Sequence, residues 1–117
     1  MGVAELEILK ASDLKEGDTH VFHFKRDGIR IDAFVARVKG VLVAYENLCR
    51  HLPVSLDYGD GRFWDTKKHF FVCYTHGARY EPRTGKCVDG PCGGASLHSL
   101  RVEEKEGWIH LSEGQAD

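Results

Sequence analysis

The chain has 117 residues, with 16 Lys and Arg against 18 Asp and Glu and a formal net charge of −2. That length allows one domain with a modest core, and the charge balance gives no reason to expect nucleic acid or an anionic membrane as a partner. No apolar run approaches the length needed to span a bilayer. Met1 to Glu5 has neither the basic region nor the apolar stretch of a signal peptide, and Leu6 stands where a myristoylation motif needs Ser or Thr. A cytoplasmic location is the expectation.

Val3 to Lys10 alternates apolar and polar residues, the pattern of a half-buried strand. Ser12 to Gly17 reads as a capped helical turn, with Ser12 as the cap and Gly17 as the stop. Thr19 to Arg26 and Ile29 to Val38 are strands joined by the hairpin signal Asp27-Gly28. Lys39-Gly40 turns the chain into a third strand, Val41 to Tyr45, which completes an antiparallel meander. Phe34, Val38 and Leu42 are expected in its core. Ser55 to Lys68 is a polar loop whose Phe63 and Trp64 suggest a short strand or a packed flap, and both are read as satellite core under the loop rather than as binding residues. His69 to Val72 is a short strand delivering Cys73, and Gly77 to Tyr80 leads away from it. Arg83 to Lys86 is a turn and Cys87-Val88 a return strand. Gly90 to Gly94 lacks the Gly-Lys-Ser/Thr ending of a phosphate cradle. Leu97 to Glu103 and Trp108 to Leu111 close the domain as strands about the charged turn Glu104 to Gly107. Residues 113–117 are read as a frayed tail. There is no internal repeat and no long helix.

The chemistry concentrates between Cys49 and His76. Cys49-Arg50-His51 opens this stretch and Cys73-Tyr74-Thr75-His76 closes it, so each end offers one thiolate and one imidazole on its own turn. Two such pairs can converge on one metal centre. Nucleophilic catalysis by Cys73 with His76 is the weaker chemical reading, because sequence neighbours rarely form a nucleophile–base pair. A zinc finger groups its two Cys together and its two His together, whereas each half here mixes both types. An asymmetric two-iron centre answers the arrangement better, with Cys49 and Cys73 on one iron and His51 and His76 on the other.

In these boxes the chain resembles the Rieske [2Fe-2S] family, whose signature is Cys-x-His followed by Cys-x-x-His-Gly. Cys49, His51, Cys73, His76 and Gly77 match it, and Thr84-Gly85 and Gly90-Pro91-Cys92 are similar to later turns of the family. The resemblance implies an all-β fold: a Rieske-like antiparallel β-sandwich with a smaller cluster-binding subdomain of short strands and loops. Residues 1–117 would be one Rieske domain, with the cluster-binding subdomain at about 45–95 and the basal β domain from the flanking segments. It also implies a Rieske-type [2Fe-2S] cluster held by Cys49, His51, Cys73 and His76. The family's respiratory members carry a disulfide across the cluster, but Val54 and Thr75 occupy the corresponding positions here. Cys87 and Cys92 lie outside both boxes; they could pair, but a reducing compartment argues against that, and each is read as a small buried side chain. Tyr74 replaces the usual Pro, and the inter-box loop is longer than in short ferredoxins; neither difference touches a ligand.

Charge counting shows what such a ligand set does. Two ferric ions, two sulfides and two thiolates sum to zero, whereas four thiolates would leave a dianion that resists reduction. High-potential members carry Ser where Ala78 stands and Tyr where Tyr80 stands. The absent serine donor and the absent disulfide place the expected potential at the low end of the range. Leu52, Pro53 and Pro91 would form an apolar tip, with Arg50, Arg79 and Asp57 on its rim. The resemblance implies a soluble Rieske-type ferredoxin, a one-electron carrier between a reductase and a terminal oxygenase and not itself an enzyme. Rival readings are the small Rieske subunit of a larger oxidoreductase, such as a nitrite reductase, and a structural zinc domain.

Overall fold

The computed structural model describes residues 6–48, 56, 63–64, 70–73, 77–90 and 95–112. The chain begins there with β1 (Leu6–Lys10) and one short 3-10 turn, Ala11–Asp13. Ser12 lies inside that turn and does not cap it: the residue ahead of it is Lys10, with no side-chain cap. No cap is needed, because the Ala11 amide donates to the Gly107 carbonyl at 2.9 Å.

The meander follows as read. β2 (Thr19–Arg26) and β3 (Ile29–Val38) pair in unbroken register from Thr19↔Ala36 to Arg26↔Ile29. Asp27 (φ 52°) and Gly28 (φ 80°) give the tight turn between them, whose left-handed residues match the twist of the strands. β4 (Val41–Glu46) pairs back on β3 from Val38↔Val41 to Ala33↔Glu46. The Glu16 carboxylate accepts the Lys39 and Gly40 amides at 2.6 and 2.7 Å, fixing the second turn from outside.

Three short strands come next: β5 (Phe71–Val72), β6 (Arg79–Tyr80) and β7 (Cys87–Asp89), hydrogen-bonded in that order. The expected strand from Leu97 to Glu103 is in fact two. β8 (Ser99–Leu100) joins the edge of β4, whereas β9 (Val102–Lys105) belongs to another sheet. The break falls at Arg101, whose carbonyl accepts the Ser112 amide at 2.9 Å and so turns toward that other sheet. The closing turn is shorter than expected, Glu106-Gly107, because Lys105 still pairs with Trp108 at the start of β10 (Trp108–Leu111). The sheets are β1-β10-β9, β2-β3-β4-β8 and β5-β6-β7, every pairing antiparallel. Among the described residues no helix is long and apolar enough to cross a membrane.

The four-stranded sheet sends side chains into a core on each face. One face sends Phe34, Ala36, Val38, Val43 and Tyr45 into a core shared with Leu56, Phe63, Phe71, Cys73, Ala78 and Tyr80. The other sends Phe24, Ala33, Val35, Ala44 and Leu100 against Ile109 and Leu111 of the β1-β10-β9 sheet. Leu42 therefore does not share a core with Phe34 and Val38. It lies opposite Arg37 and packs with the second group, one residue out of phase with Val43. Phe63, read as satellite core under a loop, belongs to the first core itself: it is fully buried there and stacks on Phe34 at 4.0 Å between ring centroids.

Tyr45 ties this core to the turn after β6. Its hydroxyl donates to the Pro82 carbonyl at 2.8 Å. Burial first, and then the Glu81 charge, push its pKa from the usual 10.0 up to about 12. Gly85 completes the contact: at φ 76° it lies so close that a Cβ there would stand 2.7 Å from Tyr45 Cε1.

Two outcomes follow for stability. Gly85→Ala meets both the left-handed backbone penalty of about 1–2 kcal/mol and the ring itself, so the melting temperature should fall clearly; an unchanged value would oppose this packing. Tyr45→Phe should cost about 1 kcal/mol at neutral pH through the lost hydrogen bond. The neutral phenol's contribution is whole below its unfolded pKa near 10 and fades as pH climbs toward about 12. Denaturant titrations across that interval should show the wild type losing stability faster than the variant, and parallel curves would contradict the assignment.

Candidate metal centre

The second Cys-His box is held at both ends by the short-strand sheet. β5 carries the chain into Cys73, which is fully buried and not disulfide-bonded. The Cys73 amide donates to the Ala78 carbonyl at 2.8 Å, and the Gly77 amide returns to the Cys73 carbonyl at 2.7 Å. Below this closed turn, Val72 pairs with Arg79 and Phe71 with Tyr80. Local sequence explains the shape: two apolar residues build the strand, and Gly77 lets the chain reverse into Ala78. Ala78 and Tyr80 are both fully buried in the core that contains Cys73.

The first box is framed at its borders. Just ahead of it, the Glu46 amide donates to the His98 carbonyl at 2.9 Å, and the Asn47 amide to the Asp32 carbonyl at 2.8 Å. The Asn47 side-chain carbonyl then accepts the amide of Leu56 at 2.8 Å. One short side chain thus clasps the chain on either side of Cys49 and His51, and the fully buried Leu56 plugs the far end. Sequence reading passed over Asn47. Its signal was an Asn two residues ahead of a Cys-x-His box, where its amide group readily bonds nearby backbone.

A third segment leans on the second box. Gly90, at φ 94°, sits where an added Cβ would lie 2.8 Å from Ala78 Cα and 3.2 Å from the Gly77 carbonyl oxygen. The pairing of β6 with β7 shifts register between Tyr80↔Cys87 and Arg79↔Asp89, a bulge that leaves Val88 exposed. Val88 is an apolar surface residue that sequence reading also missed. Arg79, expected on the rim, is exposed.

Cys49, His51 and His76 lie outside the described residues, as do Arg50, Leu52, Pro53, Val54, Asp57, Tyr74, Thr75, Pro91 and Cys92. Among the described residues no group of three or more His, Cys, Asp or Glu gathers in metal-binding proximity. Of the four expected ligands, Cys73 can be tested for fit. A thiolate ligand must be clear of any disulfide and shielded within protein, and Cys73 meets both conditions. Cys87 departs from its expected role. It is buried, but as half of a disulfide whose other sulfur lies outside the described residues, rather than as a simple packed thiol. The 3.4 Å approach of its Sγ to the Asp89 carbonyl oxygen is therefore a contact, since a disulfide sulfur has no proton to donate.

Comparison with known proteins agrees with this architecture. A curated relative, the cytochrome b6-f complex iron-sulfur subunit of Chlorobaculum thiosulfatiphilum, is 30% identical over 89 residues, covering 76% of this chain and 43% of its own. The chain thus spans less than half the length of that relative. The fold is similar to the terminal oxygenase of carbazole 1,9a-dioxygenase from Novosphingobium sp. KA1, at a TM-score of 0.77 and 22% identity over 99% of this chain and 31% of that one. It is also similar to a chain in the complex of reduced oxygenase and oxidized ferredoxin in carbazole 1,9a-dioxygenase, at a TM-score of 0.71 and 27% identity over 97% of both chains. Residues 4–103 match the Rieske [2Fe-2S] domain. With most of its length inside that match, the chain belongs to the Rieske family, whose domains carry a Rieske-type [2Fe-2S] cluster.

Proposed function

We propose that this protein is a Rieske-type ferredoxin, a one-electron carrier between a reductase and a terminal oxygenase. Cys49 and Cys73 hold one iron in this reading, and His51 and His76 the other. When bound, such a cluster takes up and returns a single electron. Residues at about 45–95 then form the cluster-binding subdomain of a single domain, and the flanking strands form its base. The closed turn at Cys73 supports the ligand assignment, since it fixes a shielded thiol at the head of the segment that includes His76.

The observation that carries the carrier reading is one of size. In the carbazole 1,9a-dioxygenase assemblies the chain matches molecules of two lengths. It covers 30% of one and 97% of the other, both from complexes of oxygenase with ferredoxin. A chain of equal length at 27% identity is what a separate carrier would give. Exposed Val88 beside exposed Arg79 suits a brief redox encounter, in which a small apolar tip and a charged rim favour rapid association over a lasting interface.

The iron-sulfur subunit of the cytochrome b6-f complex among the relatives favours a second reading, a component of a larger electron-transfer assembly. Stopped-flow mixing of the reduced protein with a Rieske oxygenase and, separately, with a c-type cytochrome separates the two. Rapid reoxidation by the oxygenase supports the carrier, and transfer to the cytochrome alone supports the assembly.

Cys73→Ala should abolish bound iron and acid-labile sulfide while circular dichroism keeps its β signature; a full iron complement would remove Cys73 from the ligand set. Redox titration of the wild type should give a midpoint toward the low end of the range, about −150 mV, and a value well above zero would oppose the reading. Ala78→Ser should raise that midpoint by about 60 mV, the equivalent of one added hydrogen bond to a charged group. No change would mean that residue 78 does not address the cluster.

A further inference from the structure

We propose that the cavity lined by Trp64, Phe70, Lys39 and Arg83 is a binding site for a small aromatic carboxylate. The cavity measures about 470 Å³, within the roughly 300–1,000 Å³ usual for small-molecule sites. Cys73 is not among the residues lining it, so a ligand here is independent of the cluster reading.

The apolar part of the lining is set before any ligand arrives. Val38 and Pro82 are buried, and Trp64 and Phe70 are half-buried. The Trp64 indole is pinned twice. Its Nε1 donates to the Gly17 carbonyl at 2.8 Å, and its ring leans on Phe71 at 4.7 Å between centroids. Pro82 is fixed through its carbonyl, which accepts the Tyr45 hydroxyl at 2.8 Å. A site built from pinned aromatic and apolar groups loses little freedom on binding, and the indole offers a surface on which a flat ring can pack.

The charged groups of the lining select the ligand. Glu16 and Glu81 bring two carboxylates, Lys39 and Arg83 two cations. The carboxylates are already engaged with the backbone: Glu16 accepts the Lys39 and Gly40 amides at 2.6 and 2.7 Å, and Glu81 accepts the Arg83 amide at 2.9 Å. The Lys39 ammonium and the Arg83 guanidinium are exposed and make no hydrogen bond or ion pair with any part of the chain. An anion therefore meets donors that the fold leaves unused, whereas a cation would compete with backbone amides for Glu16 and Glu81. An aromatic ring against Trp64 with a carboxylate at Lys39 and Arg83 satisfies both halves of the site. Such a ligand also ties the turn between β3 and β4 to the turn after β6, and so favours the folded chain.

The test titrates the full chain calorimetrically with three probes of one shape: naphthoate, the neutral naphthamide and the cationic naphthylmethylamine. Naphthoate should bind saturably, raise the melting temperature, and bind about ten-fold more tightly than naphthamide, the effect of two exposed charge contacts. Lys39→Ala and Arg83→Ala should each weaken naphthoate about three-fold, and together about ten-fold, while naphthamide binds as before. Both side chains are exposed, so neither variant should disturb folding. Absence of saturable naphthoate binding overturns the proposal, as does an amine that binds as tightly as the carboxylate. A double variant with unchanged naphthoate affinity overturns it too, by placing the ligand elsewhere, and so does equal weakening of naphthoate and naphthamide.

Discussion

A single ring, that of Phe34, links the two halves of the candidate centre. It stacks face to face on Phe63 at 4.0 Å and 14°, and takes the edge of Phe71 at 5.1 Å. Phe63 lies in the segment that follows the first box, and Phe71 comes two residues before Cys73. Both connections therefore end on the same side chain of β3. Burial of such a ring contributes about 2–3 kcal/mol, with about 1 kcal/mol more from well-placed aromatic neighbours. That gain offsets part of the entropy lost in ordering the segments on which Phe63 and Phe71 lie. Tyr45 on the next strand and Trp64 beside Phe71 extend the same aromatic group.

Around this anchor, three segments are secured by three different means. The first box is bordered by one amide side chain, Asn47, reaching across to Leu56. The second is closed by two backbone hydrogen bonds between Cys73 and the Gly77-Ala78 pair. The third, at Gly90, is placed by steric closeness, where backbone meets backbone because no Cβ intervenes. Among the described residues, an exposed ion pair such as Arg30–Asp32 at 3.1 Å contributes little.

The meander was legible because its signals are local. Asp27-Gly28 and Lys39-Gly40 specify turns that need left-handed residues, and the strands between them need only alternate. The expected ligand residues rest on a family signature rather than on geometry, and only Cys73 among them lies in the described part of the chain. What escaped notice depends on distant partners. Leu42 looked equivalent to Val38, but cross-strand register sends it to the other core. The division at Arg101 leaves no trace in composition, since the residues on both sides suit a strand and only Ser112 draws them apart. Ser12 is a good cap by type, yet the amide at the start of its turn was already taken by Gly107.

The four-stranded sheet, with a core on each face, also acts as a partition. Phe24, Ile109 and Leu111 lie on one side, and Cys73, Ala78 and Tyr80 on the other. Substitutions behind the wall alter how firmly the scaffold holds together without touching the residues around the second box. Those in front act on the second box and on stability together, since Phe34 and Tyr45 share that core with Cys73. A lineage built on this plan can therefore change how firmly it folds from behind the sheet while the surroundings of the second box stay as they are.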